Sequence, residues 1–347
     1  MPREAIVIDM HDDVLNALLS RRAAGEELSL GDSQPDFQSD IPRWRAGGVD
    51  AVFLPVYTNP GDSHFQKAMA IHAELQRQIA LNPDDLEQAS SADDIERISG
   101  NGKIAAILAI EGGHIIENSL ANLRELHRLG YRYLGLTHDV DYEPYELGTA
   151  AIWAFDWADP NHFPNERDEG LKEFGRSAVE EAVRLGIMVD LAHASYLTKM
   201  DALDVVANRA PVIATHDAAF ALHPIYRTTT DDVLKRIAES GGFAGVYFIP
   251  HLLNRGSNSE RPTIQTVLDH LDHFTAVMGT GHVAVGSDFN GVPKIMLPFP
   301  EGIEDAAALP HLTEGMIERG YSCGAIRDIW GANVLRALRA TSAAADQ

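Results

Sequence analysis

Short apolar runs recur along the chain, and segments with apolar residues at helical spacing lie between them. Eight runs predict strands at 6–9, 52–55, 104–110, 133–136, 188–191, 212–215, 243–247 and 283–286. Most of these runs are continuously apolar, which is typical of strands buried on both faces of a parallel sheet. Helical spacing predicts helices at 63–81, 120–129, 169–184, 195–206, 230–239 and 264–277.

The alternation of strands and helices predicts an α/β fold, specifically a (β/α)8 barrel of the TIM type with closing helices at the C-terminus. Gly130, Gly186 and Gly241 each stop a predicted helix just before the next strand. Length alone allows two domains of about 150 residues, but we expect one barrel domain over residues 1–347. A doubly wound open sheet is the alternative, although no G-x-G-x-x-G follows the first strand.

Composition limits the partners and the compartment. The formal net charge of −23 disfavours nucleic acid and anionic membrane surfaces. Cys323 is the only cysteine, so an intrachain disulfide or a thiolate metal site is excluded. No apolar run approaches the roughly 18 residues of a membrane span, and the first residues lack the pattern of a secretory signal. We therefore expect a cytoplasmic protein.

Candidate chemistry is concentrated where the predicted strands end. Histidine, aspartate or glutamate follows or ends six of the eight strands, at His11, Asp13, Glu111, His138, His193, His216 and Asp288. All carboxyl ends of barrel strands open onto one face, so these side chains are expected at one mouth.

Imidazole nitrogens and carboxylate oxygens are the ligands that zinc and similar divalent ions prefer. Two neighbouring ions need a shared carboxylate or hydroxide between them. The sequence therefore predicts a two-metal site in which Glu111 is the bridge. His11 and Asp13 are expected on one ion, with His193 and His216 on the other. Five further histidines on predicted helices are expected at the surface: His64, His72, His127, His270 and His273.

Six long motifs resemble the renal or membrane dipeptidase family of zinc peptidases, peptidase family M19. They are DMHDD, AIEGGH, LRELHRLGYRYLGLTHD, GIMVDLAHAS, PVIATHD and HVAVGSDFNGV, and the resemblance runs from about Ile6 to Arg336. It implies a metal-dependent barrel, two divalent ions with zinc expected, and a small dipeptide substrate. It also implies the same five metal ligands. Because members of the family are often dimers, a homodimer is a further expectation.

The resemblance also assigns roles near the metals. His138 matches the histidine that contacts the substrate, and Arg227 matches the arginine that binds the substrate carboxylate. Asp288 matches the proton-handling aspartate. The chemistry of these residue types leads to the same roles. A metal-bridging hydroxide would be the nucleophile, His138 would donate to the oxyanion, and Asp288 would act as base and then as acid.

The chain departs from the family pattern without losing a ligand. Asp12 stands where Asn is common and Asn290 stands where Asp is common. Asp139 and Asp141 follow His138 in place of Asn, and Asp217 replaces a Ser. Added negative charge in the segment 138–168 favours a substrate with a free amino group or basic side chain, and Trp153, Trp157 and Tyr142 are candidate pocket walls.

Three functions remain open at this point. The first is a dinuclear dipeptidase acting on L-L and potentially L-D dipeptides. The second is an amidohydrolase-type barrel acting on another amide, a lactam or an acylated amino acid. Such barrels often bridge their metals with a modified lysine after the fourth strand, where this chain carries His138. The third is a binding or tailoring protein on the same barrel, which the intact ligand set disfavours.

Overall fold

Eight parallel strands form a nearly closed barrel surrounded by helices, which confirms the predicted fold class. The structure is a computed structural model that describes residues 5–138, 144–151, 164–254, 261–292 and 298–345. The barrel strands are β1 Ile8–Asp9, β2 Ala51–Val56, β4 Ile104–Ile110, β5 Tyr131–Gly135, β6 Met188–Asp190, β7 Val212–Asp217, β8 Phe243–Val246 and β9 Val283–Val285.

Strand order follows chain order around the barrel, and every pairing between barrel strands is parallel. The last strand returns to the first, because the amide of Met10 donates to the carbonyl of Val285 at 3.0 Å. The amide of Asp288 likewise donates to the carbonyl of His11 at 2.9 Å. A doubly wound sheet has two free edges and reverses its strand order, so this alternative was wrong.

Thirteen α-helices lie in the described segments. They are α1 Val14–Ala23, α2 Ile41–Gly47, α3 His64–Leu81, α4 Ala92–Gly100, α5 Leu120–Arg128, α6 Glu173–Leu185, α7 Tyr196–Val206, α8 Asp231–Glu239, α9 Pro250–Leu253, α10 Ile264–Met278, α11 Leu309–Glu318, α12 Cys323–Arg327 and α13 Asn333–Ala344. The last three are the closing helices that the sequence predicted, and a π-helical turn at Asp328–Ala332 joins α12 to α13.

One strand was missed by the sequence analysis, and one predicted helix begins later than expected. The strand β3 Leu86–Gln88 was missed because it has three residues, two of them polar, and it pairs only with the first half of β4. The helix predicted at 169–184 begins later, at Glu173. Gly170 has φ +72°, outside the helical region, and Leu171 bridges to Gly148 in an antiparallel contact.

Alternate residues of each strand face opposite sides of the barrel wall. In β2, Phe53 belongs to the cluster inside the barrel, whereas Val52 and Leu54 pack toward the surrounding helices. Residues of α4 and α13 join the interior cluster. At Gly331, which precedes α13, an added Cβ would lie 2.2 Å from the carbonyl oxygen of Ile6. These helices therefore close the end of the barrel where the strands begin, and the other end carries the polar mouth.

Part of the predicted substrate loop lies outside the described residues. This holds for Asp139, Asp141, Tyr142, Trp153 and Trp157.

Candidate active site

The structure brings the predicted strand-end residues together at one mouth of the barrel. At its centre, Oε1 of Glu111 faces the Nε2 atoms of four histidines. The separations are 3.0 Å to His193, 3.3 Å to His11, 3.6 Å to His216 and 3.7 Å to His138. These residues come from strand ends far apart in sequence, so their convergence follows from the barrel topology.

Three overlapping groups of side chains have the spacing of metal ligands. Within each group, the candidate ligand atoms all lie within 4.8 Å of one another. The groups are His11, Glu111 and His216; Glu111, His138 and His193; and His11, Asp13 and Asp288. Glu111 belongs to two of the groups, and so does His11.

Two buried atoms of the cluster lack hydrogen-bond partners among the described residues. They are Nε2 of His11 and Oε2 of Glu111. A buried polar atom without a partner costs about 1–3 kcal/mol, so such atoms usually mark a site that another group completes. A divalent cation is the group that both an imidazole nitrogen and a carboxylate oxygen bind well.

Neighbouring hydroxyl groups orient two of the imidazole rings. Thr215 donates its hydroxyl proton to Oδ2 of Asp190 at 2.7 Å. Its Oγ1 lies 2.9 Å from Nδ1 of His216 and therefore accepts the proton that Nδ1 carries. This tautomer leaves the Nε2 lone pair of His216 directed at the cluster. The hydroxyl of Tyr133 lies 2.9 Å from Nδ1 of His11 and fixes the orientation of that ring.

Sequence reasoning missed these orienting residues. Tyr133, Asp190 and Thr215 all lie in predicted strands, and their inward alternation in a barrel was the available signal. The contacts of Tyr133 with His11, of Thr215 with His216 and of Asp190 with Thr215 depend on the three-dimensional register of the strands.

Backbone strain also marks this site. His193 has φ 63° and Asp288 has φ 60°, in the left-handed region that non-glycine residues seldom occupy. Each such conformation costs on the order of 1–3 kcal/mol and persists where the surroundings determine it fully. Both strained residues are ones that the sequence assigned to the site.

The buried charges strongly shift the protonation of the cluster. Burial raises the pKa of Glu111, but the nearby imidazoles of His11 and His193 outweigh it and hold that pKa well below its usual range. Burial raises the pKa of Asp288 to about 6; His11 opposes this shift and the negative charge of Glu111 adds to it. A carboxyl group that titrates near neutral pH suits proton transfer.

Arg227 lies beside the site in a fully buried position. Its Nη2 donates to the carbonyl of His216 at 3.2 Å, and its Nη1 lies 3.7 Å from Oδ1 of Asp217. The guanidinium group also stacks over the ring of Tyr247, 5.4 Å from its centroid. Asp217 is itself paired with the buried Lys199, whose Nζ lies 3.0 Å from Oδ2. The carboxylate-binding role of Arg227 stays a prediction.

Two of the helical histidines are buried, so their predicted surface placement was wrong. His270 is 1% exposed and accepts a hydrogen bond from the amide of Ala219 through Nδ1, at 3.0 Å. His64 is 6% exposed, and its Nδ1 lies 2.7 Å from the hydroxyl of Thr58. Their polar atoms bond to loops at the barrel mouth, which helical spacing does not show.

A family model for membrane dipeptidases, peptidase family M19, matches residues 1–347. The chain belongs to the membrane dipeptidase family. Dipeptidase tcpJ of Claviceps purpurea is 36% identical over 86% of this chain and 68% of its own length. The uncharacterized dipeptidase C965.12 of Schizosaccharomyces pombe is 34% identical over 99% of this chain and 82% of its own length.

Two solved structures similar to this chain have the same fold. A metallopeptidase of Rhodobacter sphaeroides, liganded with a phosphinate mimic of the dipeptide L-Ala-D-Ala, has a TM-score of 0.82 and 28% identity, covering 97% of this chain and 100% of that one. The structure of the M19 dipeptidase AC has a TM-score of 0.81 and 28% identity, covering 97% of this chain and 98% of that one. As a member of this family, the protein is a hydrolase that acts on peptide bonds.

No helix of the described segments combines the length and apolar character needed to cross a bilayer.

Proposed function

We propose that the protein is a dinuclear metal-dependent dipeptidase. The observation that carries this proposal is the position of Glu111, whose Oε1 lies within 3.0–3.7 Å of four imidazole nitrogens. His11 and Asp13 would hold one ion, and His193 and His216 would hold the other. Zinc is the ion that this nitrogen and oxygen ligand set favours.

Divalent ions bound there would supply the Lewis acid and the activated water that amide hydrolysis needs at neutral pH. The remaining steps fall to side chains of this chain. Asp288 would take a proton at Oδ1, which lies 4.0 Å from Nε2 of His11, and pass it to the leaving amine. Its raised pKa of about 6 supports that exchange.

His138 is the proposed donor to the negative charge that develops on the carbonyl oxygen. Its side chain is 21% exposed, whereas those of Glu111 and His193 are nearly covered, so it faces the opening. The ring lies parallel to that of Tyr57, with centroids 5.7 Å apart and an interplanar angle of 3°. A donor fixed in this way stabilises the oxyanion without reorganising during the reaction.

Arg227 is the proposed partner of the free C-terminal carboxylate of the substrate. Arg227 lies next to His216, and its Nη2 donates a hydrogen bond to the backbone carbonyl of His216. A guanidinium group binds carboxylates with two parallel hydrogen bonds, which a lysine does not reproduce. Short substrates with a free carboxylate, most simply dipeptides, suit this arrangement.

The test is hydrolysis of a dipeptide panel by zinc-loaded protein. The panel contains L-L and L-D members with basic, acidic and apolar side chains; the L-D members are included because the Rhodobacter relative binds a mimic of L-Ala-D-Ala. Wild type is compared with Asp288→Asn and with Asp204→Asn, a control whose side chain is 67% exposed on α7. We expect turnover that falls at least about 100-fold in Asp288→Asn, the usual contribution of a general base, and stays unchanged in Asp204→Asn.

Two results would contradict the proposal. Absence of turnover on every dipeptide, with two ions bound per chain, would move the function to another amide or to an acylated amino acid. Full activity of Asp288→Asn would remove that residue from the mechanism.

A further inference from the structure

A buried hydrogen bond joins two loops of the barrel mouth across most of the sequence. Nδ2 of Asn290 donates to Oδ1 of Asp12 at 2.9 Å. Asp12 follows β1 and Asn290 follows β9, so the bond connects the first strand of the barrel to the last. Asp12 is completely buried and Asn290 is 8% exposed.

The surroundings of this pair fix the chemical identity of each partner. Nδ2 of Asn290 also donates to the hydroxyl of Ser39 at 2.7 Å, and its Oδ1 accepts from the amide of Gln38 at 2.9 Å. The amide side chain therefore uses its donors and its acceptor at once.

Asp12 acts only as an acceptor. Its Oδ1 also accepts from the amide of Val14 at 3.0 Å, and its Oδ2 accepts from Nε1 of Trp44 at 3.3 Å. Two carboxylates at these positions would repel each other, and two amides would remove the negative charge that Asp12 contributes. The contact requires one carboxylate and one amide.

The two loops that this contact joins carry one candidate metal position. Asp12 lies between His11 and Asp13, and Asn290 lies two residues after Asp288. His11, Asp13 and Asp288 form the group whose ligand atoms lie within 4.8 Å of one another. The amide of Asp13 also donates to the carbonyl of Phe289 at 2.8 Å. A change in the spacing of the loops would therefore change the spacing of the ligands.

We propose that Asp12 and Asn290 form a positioning pair that sets the distance of His11 and Asp13 from Asp288. The inference rests on the proposed metal site, but not on the identity of the substrate.

The experiment is a titration of the metal-free full-length protein with cobalt(II), followed by the visible absorption of the bound ion. It compares wild type with Asn290→Asp and Asp12→Asn. Residues around a metal ligand typically change metal affinity by about 10–100-fold. We expect Asn290→Asp to weaken cobalt binding at least about 10-fold and to alter its spectrum. Asp12→Asn should weaken cobalt binding as well, because one of the two oxygens that accept hydrogen bonds is replaced by a donor.

Asn333→Asp is the matched control. Nδ2 of this buried asparagine donates to the carbonyls of Thr280 and Val283 at 2.8 and 2.9 Å, at the end of the barrel opposite the mouth. It should lower the unfolding temperature without changing cobalt affinity. The same result for Asn290→Asp or for Asp12→Asn would show a purely structural contact and overturn the proposal. Wild type that binds two cobalt ions and hydrolyses no dipeptide would refute the proposed function alone.

Discussion

The ion pair between Lys199 and Asp217 allows a quantitative test of the packing behind the site. Lys199 is 2% exposed on α7, and Asp217 is completely buried at the end of β7. The Nζ–Oδ2 distance is 3.0 Å. The perturbation is Lys199→Met, which keeps the length of the side chain and removes its charge.

The expected cost follows from what remains around Asp217. Removing one partner of a buried ion pair costs about 3–5 kcal/mol, because the other charge is left uncompensated. Here the carboxylate keeps the amide of Ala218 at 2.8 Å and Arg227 at 3.7 Å, in addition to the hydroxyl of Thr229. We therefore expect the lower end of the range, about 3 kcal/mol. Adding Asp217→Asn removes the buried carboxylate charge that has lost Lys199 and should restore part of the loss.

The assay is urea unfolding of the metal-free protein at pH 7, followed by circular dichroism. Lys103→Met is the control, since Lys103 is 29% exposed and its Nζ lies 3.3 Å from Glu87. Partly exposed pairs contribute about 0–1 kcal/mol, so this variant should stay near wild type. The reasoning would be refuted if Lys199→Met lost less than about 1 kcal/mol, or if the double variant were no more stable than the single one.

Two further predictions concern buried rings. Burial lowers the pKa of His270 from 6.5 to about 4, so between these pH values His270 binds a proton in the unfolded chain but not in the folded one. This difference should lower the unfolding free energy by up to about 1.4 kcal/mol per pH unit as pH falls from 6.5 toward 4. His270→Gln should flatten this pH dependence in urea unfolding, and an unchanged slope would contradict the prediction. Tyr133→Phe removes the hydroxyl that orients His11 at 2.9 Å and should weaken binding of at least one divalent ion about 10–100-fold in calorimetric titration, whereas unchanged affinity would dismiss that role.

The sequence predicted the barrel and the convergence of the strand-end residues at one mouth, because both depend on local pattern. Continuously apolar strands indicate a parallel sheet, and parallel strands bring residues such as Glu111 and His216 to one mouth regardless of their separation in sequence. The motifs around these residues then identified the family. Predicted strands 104–110 and 188–191 accordingly lie within one residue of β4 and β6 at each end.

Features that depend on the exact register of the strands and loops could not be predicted from the sequence. The left-handed backbone of His193 and Asp288 has no signal in residue type, since neither position is glycine. The burial of His270 follows from a loop that folds back over α10, and not from the spacing of α10 itself. The contact of Asp12 with Asn290 depends on the closure of the barrel, which brings the loop after β1 next to the loop after β9.

The central claim is that the Glu111 carboxylate joins two divalent ions, and counting the ions tests it most directly. Wild type and Glu111→Gln are stripped of metal, reloaded with zinc, freed of excess ion and measured by plasma mass spectrometry. We predict two zinc ions per wild-type chain and at most one per Glu111→Gln chain, because the amide lacks the charge that offsets repulsion between neighbouring cations. One ion per wild-type chain, or two ions held equally well by both proteins, would contradict the account.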